Sequence, residues 1–200
     1  KFDITEENIK RARRGYFANI SYIDEKVGEI LQVLEETRQE AIIVFCADHG
    51  DMLGEKGLWF KMSFYDGSSR VPLMVSAPDV APGKLDEPVS LLDVAPTLAA
   101  MAGVPAEEVA PWVDGEDLMP LMQGQGRDAP VMMEYAAEAS YAPMASLRYG
   151  KWKLNRCALD PDQLFDLEAD PMEQVNLAER PEHQGTLESL RAKFDARWDL

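Results

Sequence analysis

The chain has 200 residues, 46% hydrophobic and 28% charged, enough to bury a core in one or two domains. A net charge of −16 leaves no basic face for phosphates, which argues against nucleic acid and against an anionic membrane surface. No apolar run approaches the ~20 residues that cross a bilayer, and two cysteines, Cys46 and Cys157, are too few for a disulfide framework.

Residues 5–36 predict one long helix. Ile9, Ala12, Tyr16, Phe17, Ile20, Ile23, Val27, Ile30, Leu31 and Leu34 recur mostly at steps of three and four. Thr5 is the expected cap, with Glu6 and Glu7 favourable in the first turn. The apolar stripe is expected to pack on a sheet. An apolar run from Ala41 to Cys46 then reads as a buried parallel strand, the second half of a βαβ unit whose partner strand precedes Lys1. Cys46 is expected in the core and Cys157 in a loop.

A long loop spans 50–70, punctuated by Gly50, Gly54, Gly57 and Gly67. Loops of this length at strand ends carry function or are disordered, and the aromatics Trp59, Phe60, Phe64 and Tyr65 argue for the former. A second buried strand is expected over 71–77 and a short one over 89–92. Asp93 is positioned to cap a helix over 94–102, with Gly103 as its stop. Residues 104–129 read as irregular, with a helical turn near 118–122 and a linker at 123–126. Short strands follow at 131–136, 144–149, 151–155 and 163–166, with Tyr149-Gly150-Lys151 as a hairpin signal. A helix over 181–198 places Leu187, Leu190, Phe194 and Trp198 on one face. Strands followed by a helix suggest a small α+β subdomain. The expected division is 1–125 and 126–200.

The chemistry concentrates in Ala47-Asp48-His49-Gly50-Asp51, where the apolar run stops. Ligands of open α/β sheets bind at the carboxyl ends of strands. Asp48 and His49 are hard and borderline donors that suit a divalent metal. Gly50 permits close approach of the backbone, and Lys61 can supply positive charge to an anion held there.

The segment from Ala47 to Lys61 resembles the second metal motif of the type I sulfatases, members of the alkaline-phosphatase superfamily. Three further stretches resemble that family in the same order: Arg70-Val71-Pro72-Leu73-Met74-Val75, Leu91-Leu92-Asp93-Val94-Ala95-Pro96-Thr97-Leu98, and the run from Leu164 to Ala178. Residues 57–65, Gly-Leu-Trp-Phe-Lys-Met-Ser-Phe-Tyr, are most similar to choline sulfatases. The resemblance implies an α/β fold, the carboxy-terminal part of an alkaline-phosphatase-like α/β/α sandwich plus the α+β subdomain. It implies hydrolysis of a small sulfate ester, choline sulfate among them. It also makes Asp48 and His49 metal ligands and Lys61 the catalytic lysine that contacts the sulfate. Many relatives carry asparagine at the position of His49. Asparagine favours calcium, the first expectation, while imidazole keeps manganese and zinc open. Lys56 stands where many sulfatases have histidine.

The family nucleophile is a formylglycine made from the first residue of a Cys/Ser-x-Pro-x-Arg motif. Cys46 precedes Ala47-Asp48-His49-Gly50 and Cys157 precedes Ala158-Leu159-Asp160-Pro161, so neither fits. The resemblance implies that the nucleophile and an acidic pair of metal ligands lie upstream.

Selectivity is expected from the subdomain. A quaternary ammonium is held by aromatic faces and a nearby carboxylate. Glu138 is the expected carboxylate by resemblance, with Tyr135, Tyr141 and Trp59 as candidate ring contacts. The same subdomain is a candidate surface for homo-oligomers. Two other readings stay open: a phosphonate monoester hydrolase or phosphodiesterase of the same superfamily, and a non-catalytic interaction module.

Overall fold

The computed structural model describes residues 4–78, 80–136 and 140–198. Two compact units divide the chain, Lys1–Val80 and Ala81–Leu200.

The first unit begins with α1 (Glu6–Thr37). Thr5 caps it as expected, accepting the Asn8 N–H at 3.2 Å. Arg38, in the left-handed region, ends it and donates its N–H to Glu35 O. Strand β1 (Ile43–Cys46) follows, and a loop leads to the single turn α2 (Asp66–Ser69) and strand β2 (Leu73–Ser76). β1 and β2 pair antiparallel, with Ile43 opposite Ser76 and Cys46 opposite Leu73. β1 is half-buried rather than buried, and its partner among the described residues is the antiparallel strand that follows it. Composition encodes a strand but not its direction, and the loop folds back on itself to return the chain antiparallel. Cys46 is exposed rather than in the core.

The stripe of α1 is not covered by the other described residues. No residue of α1 is buried, and Phe17 is 60% and Ile30 63% exposed. The reason is size. A 32-residue helix runs ~48 Å, whereas four-residue strands extend only ~13 Å.

The second unit opens with a turn at Leu91–Asp93 in place of the expected strand, because Ser90 and Asp93 form a capping box. The helix α3 (Val94–Met101) then ends in a Schellman motif. Gly103, at φ +75°, donates to Ala100 O and Val104 to Ala99 O. Asp93 does more than cap. It is 2% exposed and accepts from Ser90 N, Glu116 N and the Arg127 guanidinium, all within 2.8 Å. These bonds order the segment that carries the turns α4 (Ala106–Val109) and α5 (Met119–Met122), most of which the sequence left irregular.

Strands β3 (Val131–Tyr135), β4 (Met144–Tyr149), β5 (Trp152–Cys157) and β6 (Asp160–Asp166) form an antiparallel sheet in chain order. Cys157 closes β5 rather than lying in a loop. Helix α6 (Gln184–Asp195) covers one face. Ala145, Leu147, Leu154 and Leu164 pack there with Leu187, Leu190 and Phe194 in the core. Alternation along the strands puts Ser146, Lys153, Asn155 and Phe165 on the opposite face, and they are buried too.

The run from Leu164 to Ala178 explains how. Asn176 accepts from Leu164 N and Ala178 N, and Asp170 accepts from Val175 N. Asp166 pairs with Lys151 at 2.6 Å. Glu173, at φ +53°, pairs with Lys153 at 2.8 Å, each side chain 2% exposed. Removing one partner of such a pair strands a charge and costs ~3–5 kcal/mol. We predict that Glu173→Gln lowers the unfolding temperature of this unit by roughly 6–15 °C, and that adding Lys153→Met recovers most of the loss. Calorimetry showing an unchanged transition in the single variant contradicts this.

Candidate functional site

The loop after β1 is pinched at its base. The Gly50 N–H donates to Ser68 O at 2.7 Å. A Cβ on Gly50 would collide with the Gly67 carbonyl oxygen, so glycine is required by contact rather than by torsion. Inside the pinch, Leu53 N donates to Trp59 O and Gly54 N to Leu58 O, forming a small hairpin closed by the turn Glu55–Gly57. Met52, 1% exposed, plugs its centre against the space beside Gly67. Arg13 of α1 donates its Nε–H to Leu53 O at 2.9 Å, which ties the helix to the loop.

Asp48 and His49 stand just outside β1. The His49 backbone N–H donates to Asp48 Oδ1 at 2.9 Å. That bond holds the Asp48 carboxyl below its usual range, with desolvation opposing it and the His49 ring and Lys61 charge adding to it. His49 Nδ1 lies 2.9 Å from Gly50 O. A carbonyl only accepts, so Nδ1 carries a proton, and in the neutral imidazole the lone pair is then on Nε2. Nε2 in turn is 3.5 Å from Asp48 Oδ2, and the Asp48 side chain is 86% exposed.

This arrangement fits a divalent cation. A main-chain carbonyl orients the imidazole, as it does behind most metal-bound histidines. The two donors are near enough to share an ion with bonds of ~2.0–2.5 Å. They supply two ligands. Among the described residues, no group of three or more His, Cys, Asp or Glu side chains is placed to hold a metal.

Lys61 is exposed, and its charge reaches Asp48. Its carbonyl accepts the Ser68 hydroxyl and, at 2.7 Å, the Ser63 N–H. Lys56 instead places Nζ over the Tyr65 ring, 4.5 Å from its centroid. Trp59 packs its ring against Gly54. Asp51 is half-buried, and Arg70 pairs with Asp66 at 3.8 Å. In the second unit, Tyr135 ends β3 opposite Met144, and Tyr141 is fully exposed. A cleft of about 170 Å³ opens between Ala136 and Ser140–Pro143. Glu138 lies outside the described residues.

Sequence reasoning passed over Ser68 and Met52, the two buried anchors of the loop. The run of small residues Gly67-Ser68-Ser69 was the available signal of close packing.

Among the described residues, no helix is long and apolar enough to cross a membrane. The sulfatase family profile matches residues 1–104, and the profile of the N-sulphoglucosamine sulphohydrolase carboxy-terminal region matches residues 54–198. A choline-sulfatase of Rhizobium meliloti is 59% identical over 100% of this chain and 40% of its own length. Arylsulfatase K of Gallus gallus is 33% identical over 88% of this chain and 35% of its own. The phosphonate monoester hydrolase of Silicibacter pomeroyi superposes with a TM-score of 0.83 at 28% identity, over 97% of this chain and 42% of that one. The chain thus spans less than half the length of each of these relatives, and it belongs to the sulfatase family.

Proposed function

We propose that the polypeptide carrying this chain hydrolyses a small sulfate ester, with choline sulfate as the first candidate. The carrying observation is the pair of donors at the end of β1. A carboxylate oxygen and the imidazole Nε2 lie 3.5 Å apart, the second imidazole nitrogen being held by Gly50 O. The similarity to a choline-sulfatase over the whole chain supports the substrate class.

In this reading Asp48 and His49 are two ligands of a divalent cation, calcium by first assignment, with manganese and zinc admitted by the imidazole. When bound, the cation polarises sulfate oxygens and offsets their charge. The His49 N–H further favours the anionic form of Asp48. Lys61 brings an ammonium to the sulfate, where it offsets charge developing in the transition state. Attack on sulfur is assigned to a formylglycine supplied from outside these 200 residues. Net, the S–O bond breaks and water supplies the proton of the alcohol and the oxygen of the released sulfate. Glu138, with a ring such as Tyr135, is our candidate for holding a quaternary ammonium.

A second reading is phosphonate monoester hydrolysis, favoured by the superposition on such an enzyme. Turnover of choline sulfate, 4-nitrophenyl sulfate and a phenyl phosphonate by one preparation separates the two. The sulfatase reading expects both sulfates to be preferred, and a dominant phosphonate activity contradicts it.

Two variants follow. Lys61→Ala should lower turnover ~10²–10³-fold, the range for losing one transition-state contact. Lys56→Ala, which removes the ammonium resting over the Tyr65 ring, should lower it less than ~10-fold. Equal losses in steady-state assays remove Lys61 from the sulfate role. Glu138→Gln should raise KM for choline sulfate roughly tenfold, the equivalent of ~1.4 kcal/mol, and leave KM for 4-nitrophenyl sulfate unchanged. A matching rise for both esters ends the choline assignment.

A further inference from the structure

We propose that Ser68 is a positioning residue for this reaction, holding Lys61 and the His49–Gly50 turn at a fixed separation. The proposal rests on the roles given above to Asp48, His49 and Lys61. Ser68 is 2% exposed, and its polar groups are all committed. Its hydroxyl donates to the Lys61 carbonyl oxygen. Its own carbonyl accepts the Gly50 N–H at 2.7 Å, and its N–H donates to Tyr65 O at 2.8 Å. One buried residue therefore grips the backbone of the proposed sulfate cation on one side. On the other side it grips the backbone next to a proposed metal ligand.

The route of the hydroxyl bond separates this from ordinary helix-turn chemistry. A serine in a helical turn satisfies its hydroxyl on a carbonyl about one turn back. The neighbouring Ser69 does so, donating to Phe64 O at 2.9 Å and Tyr65 O at 3.2 Å. Ser68 instead reaches seven residues back, to Lys61. The Lys61 carbonyl keeps a second donor, the Ser63 N–H, so removing the Ser68 hydroxyl leaves no orphaned acceptor. It does release the carbonyl from the base of the loop. The long, exposed Lys61 side chain then loses its reference point, and displacements of ~1 Å in such sites cost up to 10²-fold.

The test is a double-mutant cycle in the polypeptide that carries this chain, comparing Ser68→Ala, Lys61→Ala and the double variant with the parent. The readouts are kcat and KM for 4-nitrophenyl sulfate, and the dissociation constant of inorganic sulfate by calorimetry. Ser68→Ala should lower kcat ~10–100-fold with a smaller change in KM, and weaken sulfate binding. In the Lys61→Ala background it should change neither quantity, because the residue through which it acts is gone. A Ser68→Ala effect of the same size in both backgrounds, or none in either, overturns the proposal while leaving the sulfatase reading intact. A Lys61→Ala protein that turns over and binds sulfate like the parent overturns the role of Lys61, and Ser68 with it. If Ser68→Ala fails to fold, Ser68→Cys enters the same cycle. Its thiol fills similar space but donates weakly, and the same outcomes decide.

Discussion

Just beyond the end of β1, two stretches of backbone meet with no space for a side chain between them. Gly50 donates to Ser68 O at 2.7 Å, and a Cβ at Gly50 would collide with the Gly67 carbonyl. That contact turns the stretch between β1 and β2 from a floppy excursion into a closed unit with a stem, a small hairpin and a buried methionine plug. Ordering so many residues costs roughly 1–2 kcal/mol each in backbone entropy, and four-residue strands offset little of that. The pinch, the Met52 plug and the Arg13 tether to α1 supply the remaining constraint. Asp48 and His49 sit immediately before the pinch and Lys61 inside it, so the candidate site takes its geometry from the closure.

Much of this was legible from residue order. The long helix, the four-stranded sheet with its covering helix and the capping role of Thr5 all follow from periodicity and local side-chain chemistry. What escaped was set by contacts distant in sequence. The antiparallel pairing of β1 with β2 depends on how a loop folds back, not on the apolar run itself. Asp93 reads locally as a cap, yet its carboxylate also binds Glu116 N and Arg127, positions no periodicity connects to it. The polar residues of the carboxy-terminal motif read as sequence identity alone, whereas in space each secures a turn against the sheet, and Glu173 meets Lys153 inside it.

The candidate site divides the same way. Residue type, together with the family resemblance, marked Asp48, His49 and Lys61 as candidates, because few side chains suit a divalent cation or a sulfate oxygen. Residue type gave no hint that the imidazole would be oriented by Gly50 O, or that Ser68 would hold the Lys61 carbonyl. Those are supporting bonds from main chain and from a small buried hydroxyl, invisible to any pattern of charge. The two lysines illustrate the point: alike in type and five positions apart, one carries its charge toward Asp48 and the other rests on an aromatic ring.

The proposed sulfatase site requires that His49 Nε2 and the Asp48 carboxylate bind one cation. The most direct measurement is pulsed electron paramagnetic resonance of the manganese-loaded polypeptide that carries this chain. A nitrogen coupling from one coordinated imidazole, present in the parent and lost in His49→Ala, is the predicted result. Stoichiometric manganese with no nitrogen coupling in the parent, or a coupling that survives in His49→Ala, contradicts it.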